Sequence, residues 1–306
     1  MELFAVTLTK DWASYIDKLY VKLSFAARDL HRKGHPVRIE CDTFKTHTTL
    51  RCVAELPEFR LDESGTAVFR MAADTLASYI LDEMEPRLLR EIITGPYRYT
   101  EEEEITSIEQ YCKQLLGEPE PSESLPKPRQ RTQHKIADAL FAYLEEHNRL
   151  HLLGFIRFRL ADYTSELREV AEYAIDEYIM DMQYQEFISL LKYFVYIQET
   201  KIPVAHLMHH GGSDFTMYNE QMKPINTSEF EGFTMELIDK EINFEDMIVS
   251  TLISVSPQKI VIHTREPEEQ IVKTIMQIFE NRAMVCTYCK VCGTVLSGMN
   301  KDQSYP

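Results

Sequence analysis

A chain of 306 residues, 44% hydrophobic and 27% charged, has the composition of a globular protein, long enough for one large domain or two ordinary ones. Its formal net charge of −16 disfavours nucleic acid and anionic membrane as partners, because binding either calls for a basic face. The longest near-apolar stretches, such as Met247 to Val255, fall well short of the roughly 20 residues of a membrane-spanning helix.

The opening MELFAVTLTKDW lacks the basic start and long apolar run of a secretory signal, so a cytoplasmic protein is expected. In that compartment the six cysteines should be thiols or metal ligands rather than disulfides. Residues 2–8 suit a first strand, and the three- and four-residue spacing of Trp12, Tyr15, Ile16, Leu19, Leu23, Ala26 and Leu30 predicts a helix from Asp11 to Arg32. Thr9 is the expected cap at its start and Gly34 the expected left-handed residue after its end. Alternation through Val37, Ile39 and Cys41, and again through Leu50, Cys52, Ala54 and Leu56, predicts two strands.

Helices follow. One runs from Val68 to Met84 and is broken or kinked by Pro86, with a shorter piece on to Gly95. Thr100 and Glu103 have the spacing of a capping box and open a helix ending near Gly117. Residues 117–131, GEPEPSESLPKPRQR, hold four prolines and almost nothing apolar, and read as a linker or surface loop. From Thr132 to about Glu199 the pattern is helical, interrupted near Gly154 and capped anew at Thr164.

The last hundred residues change character. PVAHLMHH and FTMYNEQM flank a glycine turn as a β-hairpin. A helix from Asn243 to Val255, the strand KIVIHT, a helix carrying Ile271, Ile275, Ile278 and Phe279, and a short strand AMVC complete the chain. The fold class expected is α+β: a β-α-β-β start within 1–116, the linker or loop 117–131, a helical middle 132–200, and a C-terminal α/β unit over 201–306 with a cysteine-rich tail.

The sharpest chemical signal is CTYCKVCG, in which Cys286, Cys289 and Cys292 form C-x2-C-x2-C. Thiolates three residues apart on a turn can reach one ion, as in zinc and iron–sulfur sites, and CKVCG is similar to half of a zinc ribbon. An iron–sulfur run would want its fourth cysteine at position 296, which is Leu296, so zinc is the better match. The strands ending at His263 and Cys286 are joined by a helix, so they should lie parallel with their ends on one sheet edge, which makes His263 the first candidate for a fourth ligand. Equally open is the reading of these cysteines as ordinary reduced thiols.

His206, His209 and His210 read as a polar turn with exposed imidazoles. Arg157 and Arg159, in GFIRFRLADY, read as partners for acidic side chains, and Cys41, Cys52 and Cys112 as core thiols. No P-loop, GxGxxG or GxSxG occurs, so neither a catalytic residue nor a small-molecule substrate is indicated. The function expected is therefore non-enzymatic and exerted through protein contacts, with metal binding as the alternative.

GFIRFRLADY, AIDEYIMDMQYQEFISLLKYFVYIQE, TLISVSPQKIVIH and the terminal CTYCKVC together resemble the YtxC-like family of sporulation proteins from spore-forming bacteria. The resemblance is best from about Leu150 to Cys292. It implies a cytoplasmic protein associated with endospore formation, and it implies no reaction and no catalytic residues.

Overall fold

The structure is a computed structural model that describes residues 1–117, 127–211, 214–225, 244–286 and 289–290. It is α+β throughout, as the sequence pattern predicts, and it divides into two compact units, Met1–Met180 and Asp181–Pro306.

The first unit opens with β1 (Glu2–Thr9), α1 (Ala13–Arg32), β2 (Val37–Thr43) and β3 (His47–Ala54). A later strand of three residues, β4 (Arg149–His151), completes a four-stranded sheet in the order β2-β3-β1-β4. β1 runs antiparallel to β3 and parallel to β4, so it is an inner strand; Phe4, Val6 and Leu8 are buried on one face and Leu3 and Ala5 on the other. On one face Phe4, Val6 and Leu8 meet Cys52, Leu50 and Thr48, and α1 lays Ile16, Leu19, Leu23 and Ala27 into the same core.

The helix ends follow backbone geometry rather than the expected side-chain caps. A 3-10 turn, Lys10–Trp12, leads into α1, which has no side-chain cap. Gly34 is left-handed with φ 97°, and the following amide of His35 reaches back to Leu30 O. Cys41 shares a face with Val37 and Ile39, which are buried, yet it is exposed toward the end of β2, so it is not the core thiol its pattern predicts.

Besides α1, this unit holds α2 (Leu61–Tyr79), α3 (Glu85–Thr94), α4 (Glu102–Leu116), α5 (Lys127–Glu146), α6 (Leu152–Arg159) and residues 161–180 of α7 (Ala161–Ile197). α4 starts from Glu101 without a side-chain cap, so the Thr100–Glu103 box does not form, while Gly117 ends it in the left-handed region at φ 63°. α5 begins at Lys127, inside the proline-rich stretch; residues 118–126 of that stretch lie outside the described residues. Gly154 does not interrupt a helix. It sits in α6, donating its amide to His151 Nδ1, and the interruption is β4.

Between α2 and α3 the backbone widens into a π-helical turn, Ile80–Met84, and Pro86 explains what happens there. Glu85 N–H donates to Ile80 O, five residues back. The next bond in that register would run from residue 86 to Leu81 O, but proline has no N–H to give. Arg129 supplies the missing donor: Nη2 donates to Leu81 O at 3.0 Å, and Nη1 donates to Glu85 Oε1 at 2.8 Å. Tyr163 donates its hydroxyl to Glu85 Oε2 at 2.8 Å. Burial, then the adjacent Glu85 carboxylate, pushes the Tyr163 phenol far up, so it stays a neutral donor. All three side chains are buried in the core of the unit.

The second unit holds the rest of α7, then β5 (Ile202–Gly211), β6 (Asp214–Asn219), α8 (Phe244–Val255), β7 (Pro257–His263), α9 (Gln270–Phe279) and β8 (Ala283–Val285). Its sheet has the order β6-β5-β7-β8, with an antiparallel hairpin β5–β6 and with β7 parallel to both β5 and β8. One face carries Ala205, Leu207, Ile260 and Ile262, which form a single core with Ile248 and Leu252 of α8 and with Ile271, Ile275, Ile278 and Phe279 of α9. Strand alternation sends His206, Met208 and His263 to the opposite face.

Candidate metal centre

The parallel pairing of β5, β7 and β8 brings their C-terminal ends to one edge of the sheet. Cys286 is the first residue past β8, and its amide donates to Ile262 O at 2.8 Å, which fixes it beside the end of β7. His263 closes β7 and is 2% exposed. Cys289 packs against Met208, which with Tyr218 and both cysteines forms a cluster apart from the main core.

The ligand atoms of His263, Cys286 and Cys289 all lie within 4.8 Å of one another. Cys289 Sγ is 3.7 Å from His263 Nδ1. In a tetrahedral zinc site, with Zn–S of about 2.3 Å and Zn–N of about 2.0 Å, the sulfur–nitrogen edge is about 3.5 Å. The two donors are therefore spaced nearly as an ion between them would require. The other ring nitrogen, His263 Nε2, lies 3.0 Å from His206 Nδ1, and the two rings stack with centroids 5.3 Å apart. Burial lowers the pKa of both imidazoles, with the neighbouring His206 adding to the effect on His263. A neutral ring is the form that ligates a metal.

Of the four residues the sequence singles out, the structure brings Cys286, Cys289 and His263 together, and Cys292 lies outside the described residues. His206 is the residue that sequence reasoning missed. It reads as an exposed turn histidine, whereas it is half-buried against His263, 57 positions away. Only the β5–β7 pairing could have revealed this, because that register sets His206 opposite Val261 on the face that also carries His263. His209 is buried too: it stacks on Phe215 at 4.3 Å and its Nδ1 meets Thr264 Oγ1 at 2.7 Å. Thr264 Oγ1 already accepts the Glu266 amide, so its hydroxyl hydrogen is free to go to His209, which ties β5 to the loop after β7. His210 is half-buried and meets Thr216.

The remaining candidates are plainer. Arg157 pairs with Glu91 at 3.4 Å on the surface, while Arg159 has no ion pair among the described residues and lines a cleft that also holds Asp162 and Glu166. Cys52 and Cys112 are core thiols, each pushed up to about 12 by burial. No helix among the described residues is long and apolar enough to cross a membrane.

Comparison of the sequence with known proteins places the chain in one family. The model of the YtxC-like family matches residues 70–284, and the chain belongs to that family. A relative is the uncharacterized protein YtxC of Bacillus subtilis (strain 168), 28% identical over 222 residues, which cover 70% of this chain and 75% of that protein. No solved structure matches. The family match takes in His206 and His263 and ends at 284, just short of Cys286.

Proposed function

We propose that the second unit is a metal-binding module holding one zinc ion between His263 Nδ1 and the sulfurs of Cys286 and Cys289, with Cys292 as the fourth donor by its spacing. The observation that carries this reading is the convergence of three soft and borderline donors, from two sequence regions, on one point. Thiolate and imidazole together suit zinc better than the oxygen-seeking cations. Iron–sulfur ligation by four thiolates is less well served, since one of the converging donors is a nitrogen. Bound at that point, the ion would tie the chain after β8 to the end of β7, which is a structural role. The family resemblance supports a setting in endospore formation within the cytoplasm, and in that setting we propose action through protein contacts rather than catalysis.

Elemental analysis of untagged protein tests the metal reading. About one zinc per chain is expected in the wild type and close to none in Cys289→Ser. Visible absorbance after anaerobic purification would point to an iron–sulfur cluster instead. Absence of every metal, with unchanged stability in Cys289→Ser, would leave these residues as ordinary thiols.

A further inference from the structure

His206 contributes no ligand atom to the converging set, yet it is the residue placed directly behind His263. The β5–β7 register sets it diagonally from His263 on the same sheet face, and its Nδ1 faces His263 Nε2 at 3.0 Å. Between two neutral imidazoles only one hydrogen can occupy that contact, so the pair has two states. In one, His263 carries its hydrogen on Nε2 and donates it to His206, so that its Nδ1 presents a lone pair on the side of Cys289. In the other, His206 donates from Nδ1, and His263 carries its own hydrogen on Nδ1, where it blocks ligation.

We infer that His206 is a positioning residue for the metal centre: by accepting the Nε2 hydrogen of His263 it holds that ring in the one tautomer whose Nδ1 can bind an ion together with Cys286 and Cys289. This rests on the metal reading above. Metal-bound histidines characteristically donate their second ring hydrogen to a fixed acceptor, which sets ring orientation and raises ligand basicity. A backbone carbonyl or a carboxylate is the usual acceptor; here the face of the sheet offers a second imidazole. The stacked rings, tilted by 29°, also limit rotation of His263 about its own side chain.

The test compares the wild type with His206→Phe, which keeps a flat ring and removes the acceptor, and with His206→Asn, whose side-chain oxygen sits close to where Nδ1 was. Zinc affinity should fall by about 10- to 100-fold in His206→Phe and recover most of that in His206→Asn. Cobalt-loaded His206→Phe should keep the thiolate-to-cobalt absorption of the wild type and need more cobalt to reach it, because the ligand set is intact. Nitrogen-15 spectra of the imidazoles should show His263 protonated at Nε2 in metal-free and zinc-loaded wild type, and a mixture of tautomers in metal-free His206→Phe.

Zinc affinity of His206→Phe within about threefold of the wild type, or coordination of His263 through Nε2, would overturn the inference while leaving the zinc site standing. Wild type that takes up no zinc would overturn the metal reading, and the metal-free spectra would then still decide whether His206 sets the tautomer. Far-UV circular dichroism and thermal midpoints show whether each variant is folded. A His206→Phe variant that fails to fold is replaced in every comparison by His206→Leu.

Discussion

Arg129→Met is the most informative perturbation of the first unit. Arg129 has three duties in one guanidinium: it pairs with Glu85, it donates to the Leu81 carbonyl that Pro86 leaves without a backbone partner, and it fills space between helices. Methionine keeps most of the apolar stem and removes both donors. The side chains of Arg129 and Glu85 are 7% and 3% exposed, so the carboxylate left behind could not rehydrate. Removing one partner of a buried pair costs about 3–5 kcal/mol, against under about 1 kcal/mol for a surface pair. At roughly 2–4 °C per kcal/mol for a unit of this size, the midpoint should fall by about 6–20 °C. The sequence has one tryptophan, Trp12, which is buried in the first unit with Arg87 4.0 Å from its ring, so tryptophan-selective fluorescence in urea reports on that unit. The double variant Glu85→Leu with Arg129→Met should be more stable than Arg129→Met alone, because the buried carboxylate that loses its guanidinium is gone. A loss below about 1 kcal/mol in Arg129→Met would refute this account of the π-helical turn and its buried pair.

Other outcomes follow from the same structure. Cys52 and Cys112, with thiols pushed up to about 12, should resist alkylation at about pH 8 until the protein is unfolded, while exposed Cys41 reacts readily; mass spectrometry of labelled peptides reads this directly. A strong chelator should speed hydrogen exchange in the β7 and β8 region and leave Trp12 fluorescence unchanged, and a chelator without effect on exchange there would count against a structural ion. Arg157→Gln should cost less than about 1 kcal/mol in thermal unfolding, because its contact with Glu91 is long and solvent-exposed. Gly117→Ala should cost about 1 kcal/mol, since φ of 63° is strained for a residue with a Cβ.

Local periodicity was enough for most elements. The stripe along α1, the alternation in β2 and β3, the left-handed Gly34 and Gly117, and the break at Pro86 all act within a few residues, and sequence spacing records such effects directly. The parallel lie of β7 and β8 was also legible, because two strands joined by one helix have few ways to lie together. What the sequence could not show were consequences of contacts far apart in the chain. Three residues, Arg149–His151, become a strand only because β1 offers them an edge, 144 positions from Ala5. Cys41 has a core pattern and is exposed, although Val37 and Ile39 on the same face of its strand are buried. Arg129 has the look of a linker cation and is buried because Pro86 and Glu85 need its donors. His206 looks like a turn residue until parallel pairing sets it behind His263. Propensity and spacing belong to the local chain; which edge is covered, which carbonyl lacks a donor and which two imidazoles share a hydrogen depend on neighbours that only the folded backbone supplies.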